Sequence, residues 1–178
     1  AYSMYRTPPQ DATLEDNVVI GYVGSLPGRS KAYTEMQKKD WLQWSEIASK
    51  VFYRPNLFRA FGGRYGFPIV SLQSAAEDFR FFAENKCVGM DIDTMQNHWA
   101  TQGPLYYLMA QLMYDPWQDA EAVMDDYYRR GYGPAAEEIK QYFQIMEKAY
   151  NEIVERVWAL AGESRNQWTI QRAILLET

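Results

Sequence analysis

Asp91 and Asp93 are the residues best suited to chemistry by type and spacing, because carboxylates two positions apart on a strand project to the same side. Their Cα atoms would lie about 6.5 to 7 Å apart, with Met90 and Ile92 on the other side. Glycoside hydrolysis uses two carboxyl groups about 5 to 9.5 Å apart, one to protonate the leaving oxygen and one to attack or to activate water. The spacing permits that role. Against it, both groups would sit on one side of a ligand, whereas acid and nucleophile flank the scissile bond. Hydrogen bonding to sugar hydroxyls and a structural turn or cap are the other roles open to the pair.

Asn97, His98 and Trp99 follow closely. His98, the only histidine, has the chemistry of a general base, or of a cation ligand together with Asp91, Asp93 and Asn97. It has no spaced nitrogen or sulfur partner, so neither a metal nor another cofactor is expected. Trp99 is placed either under a sugar ring or as a plug of the core. Arg54, Arg59 and Arg64 surround the Leu57 to Gly63 segment, where Gly62 and Gly63 would let a ligand approach the backbone. They suit a ligand carboxylate, as on a uronic acid, or they stand as solvated loop ends or pair with the acidic surface. Tyr5 joins the substrate-binding candidates with Arg64, Asn97, His98 and Trp99, since aromatics at loop ends stack well on sugar rings.

Composition bounds these readings. With 178 residues, 47% hydrophobic and 23% charged, the chain has room for one ordinary domain with a sizeable core. A net charge of −5 lacks the basic footprint of a nucleic-acid binder. Cys87 is the single cysteine, so no internal disulfide exists. No run of about 18 apolar residues reads as a membrane span, and the first residues carry no export pattern.

The elements that would position the candidates alternate. Short apolar runs before turn signals predict strands at Tyr2 to Tyr5, Val18 to Val23, Leu57 to Phe61 and Val88 to Asp93. Helical periods predict helices at Asp40 to Phe52 and Ser74 to Asn85, the second opened by a capping box of Ser74 and Glu77. This order predicts parallel βαβ units. Beyond it the pattern is helical: Pro104 to Tyr114, Asp119 to Arg130, and a helix from Pro134 to about Leu160, roughly 40 Å long. Another helical pattern, with Trp168, Ile170, Ile174 and Leu175, runs into the terminus. Both ends read as elements in mid-course, and about four strands are too few to close a parallel barrel of eight. A missing amino-terminal barrel half, or a partner copy, is expected to complete the sheet.

The run Asn97-His98-Trp99-Ala100-Thr101-Gln102-Gly103-Pro104-Leu105-Tyr106-Tyr107, then Leu112 to Pro116 and Asp125 to Ala136, resembles the carboxy-terminal half of a family of bacterial glycan-utilisation proteins. Members carry a domain of unknown function whose (β/α)8 barrel is similar to those of α-glucuronidases and β-N-acetylhexosaminidases. The resemblance implies an α/β fold: a partial (β/α)8-type barrel of about four parallel strands in residues 1–103, followed by an α-helical bundle in residues 104–178. It implies ligand binding at the carboxy-terminal strand ends, here Tyr5 to Thr7, Tyr22 to Ser25, Phe61 to Arg64 and Asp91 to Trp99. In related hydrolases the acid pair comes from middle strands, which would precede residue 1. The function expected is a carbohydrate-active protein of glycoside hydrolase type, with a carbohydrate as partner and a secreted or periplasmic location. The alternative is a glycan-binding or structural module without catalysis.

Overall fold

Three short segments form the sheet, the first two rich in β-branched and aromatic residues. They are β1 (Val19–Gly24), β2 (Lys50–Pro55) and β3 (Cys87–Met90), parallel and in the order β1-β2-β3. The computed structural model describes residues 1–57, 70–93 and 99–161. β1 pairs with β2 from Val19 against Lys50 to Gly24 against Pro55, and β2 pairs with β3 with an irregularity at Val51 and Phe52. Between strands lie α1 (Lys31–Ile47) and α2 (Leu72–Glu84). The mixed α/β expectation therefore holds, with three parallel strands among the described residues.

Helices cover one face of the sheet. Tyr22, Val51 and Tyr53 point to that face and are buried with Trp41, Trp44 and Phe82. The Trp41 ring meets Tyr53 edge-on at 5.7 Å, and Tyr53 lies 4.2 Å from Phe82, arrangements that add to simple area burial. On the opposite face, Val23 and Phe52 belong to neither core cluster. That face carries the side chains considered below.

The remaining helices are α3 (Trp99–Tyr114), α4 (Ala120–Tyr132) and α5 (Ala136–Ala161). Asp119 caps α4 by accepting the Glu121 and Ala122 amides, and Arg129 and Arg130 complement the dipole in its last turn. α5 has 26 residues, roughly 39 Å at 1.5 Å per residue. Its apolar stripe brings Phe143 and Tyr150 into the core shared with α2, α3 and α4, while Trp158 packs on the sheet-side core. Among the described residues no helix is long and apolar enough to cross a membrane.

Four local expectations are corrected. Tyr2 to Tyr5 is no strand: Ser3–Tyr5 forms a 3-10 turn, because the segment folds back with the Tyr5 amide on the Tyr2 carbonyl. The helix expected over Asp40 to Phe52 begins earlier, at Lys31 behind its cap Ser30, and stops at Ile47; residues 50–55 then form β2, where Val51, Tyr53 and Pro55 alternate inward. Leu57 lies beyond that strand, and the rest of the strand expected to Phe61 falls outside the described residues. Ser71, not Ser74, precedes α2; the Ser74 hydroxyl donates to the Ser71 carbonyl from inside the first turn. α3 also begins five residues ahead of Pro104, which sits buried inside the helix without an amide to donate.

Candidate functional site

The parallel ladder continues past the end of β3. The Asp91 amide donates to the Tyr53 carbonyl at 3.0 Å, and the Asp93 amide to the Pro55 carbonyl at 3.2 Å. Side chains alternate along extended backbone, so Asp91 and Asp93 share the face that carries Arg54. The Arg54 guanidinium lies between them, Nε 3.4 Å from Asp91 Oδ2 and Nη2 3.3 Å from Asp93 Oδ1. Asp91 is 62% exposed at the side chain and Asp93 only 16%. One cation thus holds two carboxylates at the carboxy-terminal ends of neighbouring parallel strands, the usual place for ligands in open α/β sheets.

Buried polar groups fix the loop after β1. The Leu26 amide donates to Tyr53 Oη at 2.8 Å, the Tyr53 hydroxyl donates to the Leu26 carbonyl at 3.0 Å, and the Ser25 amide donates to Gln37 Oε1 at 2.9 Å. Gly24 is required where β1 enters this loop: a Cβ there would stand 2.7 Å from the Tyr53 ring. The Leu26–Pro27 peptide bond is cis. Burial drives the Tyr53 phenol well above its ordinary pKa, so it stays a neutral donor.

α5 closes the rim beside this loop. Its Glu155 accepts the Lys31 amide at 2.6 Å, at the amino-terminal end of α1. Its Glu147 accepts the Gln73 amide at 3.1 Å, in the first turn of α2. Between them the Tyr150 hydroxyl donates to the Gly28 carbonyl at 2.8 Å. Burial raises the Glu147 pKa, opposed by the backbone amides it accepts.

Of the residues proposed from sequence, the structure brings together Asp91 and Asp93, and does so through Arg54. Trp99 opens α3 and is 64% exposed, its ring edge-on to Tyr106 at 4.9 Å, so it does not plug the core. Tyr5 is exposed on the 3-10 turn, and the adjacent Arg6 carbonyl accepts the Trp44 indole. That contact ties the segment to α1. Arg59, Arg64, Asn97 and His98 lie outside the described residues. Among the described residues, no three His, Cys, Asp or Glu side chains group to hold a metal ion. The sequence reading missed Arg54 as the tie between the two aspartates, and missed Tyr53, Gln37, Glu147 and Glu155 altogether. A basic residue on the strand beside an acidic pair is the signal for the first; the others depend on contacts distant in sequence.

Residues 1–144 match a family described as a domain of unknown function, DUF4838. The chain belongs to this family. The matched region takes in the sheet, the Arg54, Asp91 and Asp93 cluster and about the first third of α5. No curated protein and no solved structure matches the chain.

Proposed function

We propose that this DUF4838 chain is part of a carbohydrate-active protein of glycoside hydrolase type, in which Arg54, Asp91, Asp93 and Trp99 contribute to sugar binding. The observation that carries the reading is the Arg54 bridge between two aspartates at the carboxy-terminal ends of parallel strands. Carboxylates ordered by a guanidinium accept hydrogen bonds from ring hydroxyls, and an exposed tryptophan offers a sugar an apolar face. The same bridge favours binding over catalysis by the aspartates, since both sit on one side of a ligand and on one cation. Hydrolysis in this reading relies on carboxylates elsewhere in the protein.

In the same proposal the sheet is part of a (β/α)8 barrel and α3, α4 and α5 belong to a bundle packed on it. Support comes from the all-parallel order, from Val23 and Phe52 lying outside both helix-covered cores, and from Ala1. Its amino group donates to the Gly21 carbonyl at 2.5 Å and its carbonyl accepts the Val23 amide at 2.9 Å, a parallel bridge on the outer edge of β1. A secreted or periplasmic location accompanies the proposal.

The test is a glycan array with the full-length protein, repeated with Asp91→Ala and Asp93→Ala after circular dichroism has verified their folding. At least a tenfold loss of glycan affinity, about 1.4 kcal/mol, is expected for one of them. Unchanged affinity in both, or no glycan bound by the parent, rejects the proposal. Glycan bound without release of a reducing sugar assigns the protein to the non-catalytic alternative.

A further inference from the structure

Among the described residues, three features of the strand-end rim could hold an anion by directed hydrogen bonds: the amino-terminal ends of α1 and α2, where unpaired amides and the helix dipole face outward, and the Arg54 guanidinium. Each is already engaged by a carboxylate of the chain itself. Glu155 takes the Lys31 amide, Glu147 takes the Gln73 amide, and Asp91 with Asp93 takes Arg54. Arg29, in the loop between β1 and α1, is near enough to Tyr150 of α5 to lower its pKa against the effect of burial. From this we infer that the rim selects neutral polyhydroxylated sugars and rejects sugars bearing a carboxylate. The inference rests on the carbohydrate reading above and adds the charge class of the ligand.

The physical reason is competition. A uronate entering beside Asp91 brings a like charge to within a few ångströms, and to reach a directed donor it must first displace a carboxylate already in place. A neutral sugar meets the opposite situation. Asp91 is largely exposed, and a carboxylate has about four acceptor positions, so most of its capacity is open to hydroxyl donors while Arg54 holds it in orientation. The internal carboxylates thus act as specificity determinants: they set which ligand charge fits without performing a chemical step.

The experiment compares matched oligosaccharide pairs that share linkage and length and differ only in glucose against glucuronic acid, binding to the full-length protein by titration calorimetry at low and high salt. The neutral member of each bound pair is expected to bind at least about tenfold more tightly, with the gap narrowing at high salt as repulsion is screened. In Asp91→Asn/Asp93→Asn, which frees Arg54, uronate affinity should rise severalfold relative to the neutral partner. Equal or tighter uronate binding by the unmodified protein overturns the inference and leaves the carbohydrate reading standing. Binding of neither member in any pair removes both. Because the variant's expected result is a gain of uronate binding, misfolding cannot imitate it; an unchanged ratio in folded variant counts against Arg54 as the determinant.

Discussion

The Tyr53 hydroxyl meets Leu26 twice, receiving its amide at 2.8 Å and donating to its carbonyl at 3.0 Å. A side chain of β2 thereby satisfies both backbone groups of a buried residue in the loop after β1, on the rim that carries Arg54 one residue later. Tyr53→Phe keeps the ring contacts with Trp41 and Phe82 and leaves those two groups without the hydroxyl. An unsatisfied buried donor or acceptor costs about 1 to 3 kcal/mol, so a loss of about 2 to 3 kcal/mol is expected in urea unfolding. A loss below about 0.5 kcal/mol would show that water replaces the hydroxyl and that the loop does not depend on it.

Much of this arrangement was legible from residue patterns, and the exceptions share a cause. β1, β3, α2, α4 and α5 follow from local periodicity and turn residues. β2 was hidden because Ile47, Ala48 and Val51 continue the period of Trp41 and Trp44 with neither Gly nor Pro at the break; the strand shows only in the alternation of Val51, Tyr53 and Pro55. Tyr2 to Tyr5 has a strand's composition but turns on itself before Pro8. The nearness of Asp91 to Asp93 could be read from spacing, whereas the Arg54 tie needs the register of β2 on β3. The caps of α1 and α2 by Glu155 and Glu147 span 124 and 74 residues, beyond any local pattern.

Asp78 on α2 pairs with Lys38 on α1 at 2.6 Å while its side chain is 2% exposed. Burial raises its pKa to about 6, only partly offset by Lys38. The sign follows from proton linkage. Below about pH 4 the carboxyl is protonated folded and unfolded; between about pH 4 and 6 the unfolded chain ionises first, and stability falls. Two pKa units correspond to a loss on the order of 3 kcal/mol over that window. Asp78→Asn removes this titration, so the difference in stability between wild type and variant should change across pH 4 to 6 and level off above. Parallel curves over that range would mean that Lys38 compensates the burial fully.

Two glycines in helices make an opposed pair. A Cβ on Gly103 would stand 2.9 Å from Tyr127 Oη, where α3 crosses α4, whereas one on Gly131 of α4 meets nothing within 4 Å. Alanine gains about 1 kcal/mol over glycine in a helix interior, and overpacking costs about 1 to 3 kcal/mol. Gly131→Ala should therefore raise stability by up to about 1 kcal/mol, and Gly103→Ala should lower it by about 0.5 to 2 kcal/mol. Thermal or urea unfolding of both variants decides the matter, and stabilisation by both would mean that Tyr127 swings aside without loss.

Glu147 and Glu155 lie two turns apart on α5 and serve different helices, which makes α5 a strap across the rim as well as a core helix. Removing an amino-terminal cap costs about 0.5 to 2 kcal/mol, so Glu147→Ala and Glu155→Ala should each lose about 1 kcal/mol, and nearly additively because they share no partner. Glu147→Gln retains a carbonyl acceptor for the Gln73 amide and should lose less. Amide hydrogen exchange gives a local readout: the Gln73 amide should exchange faster in Glu147→Ala and the Lys31 amide in Glu155→Ala, each without the other. Unchanged exchange at both amides would assign the docking of α5 to the burial of Phe143, Tyr150 and Val157 alone. In that case the carboxylates could be exchanged for neutral residues without loosening the rim.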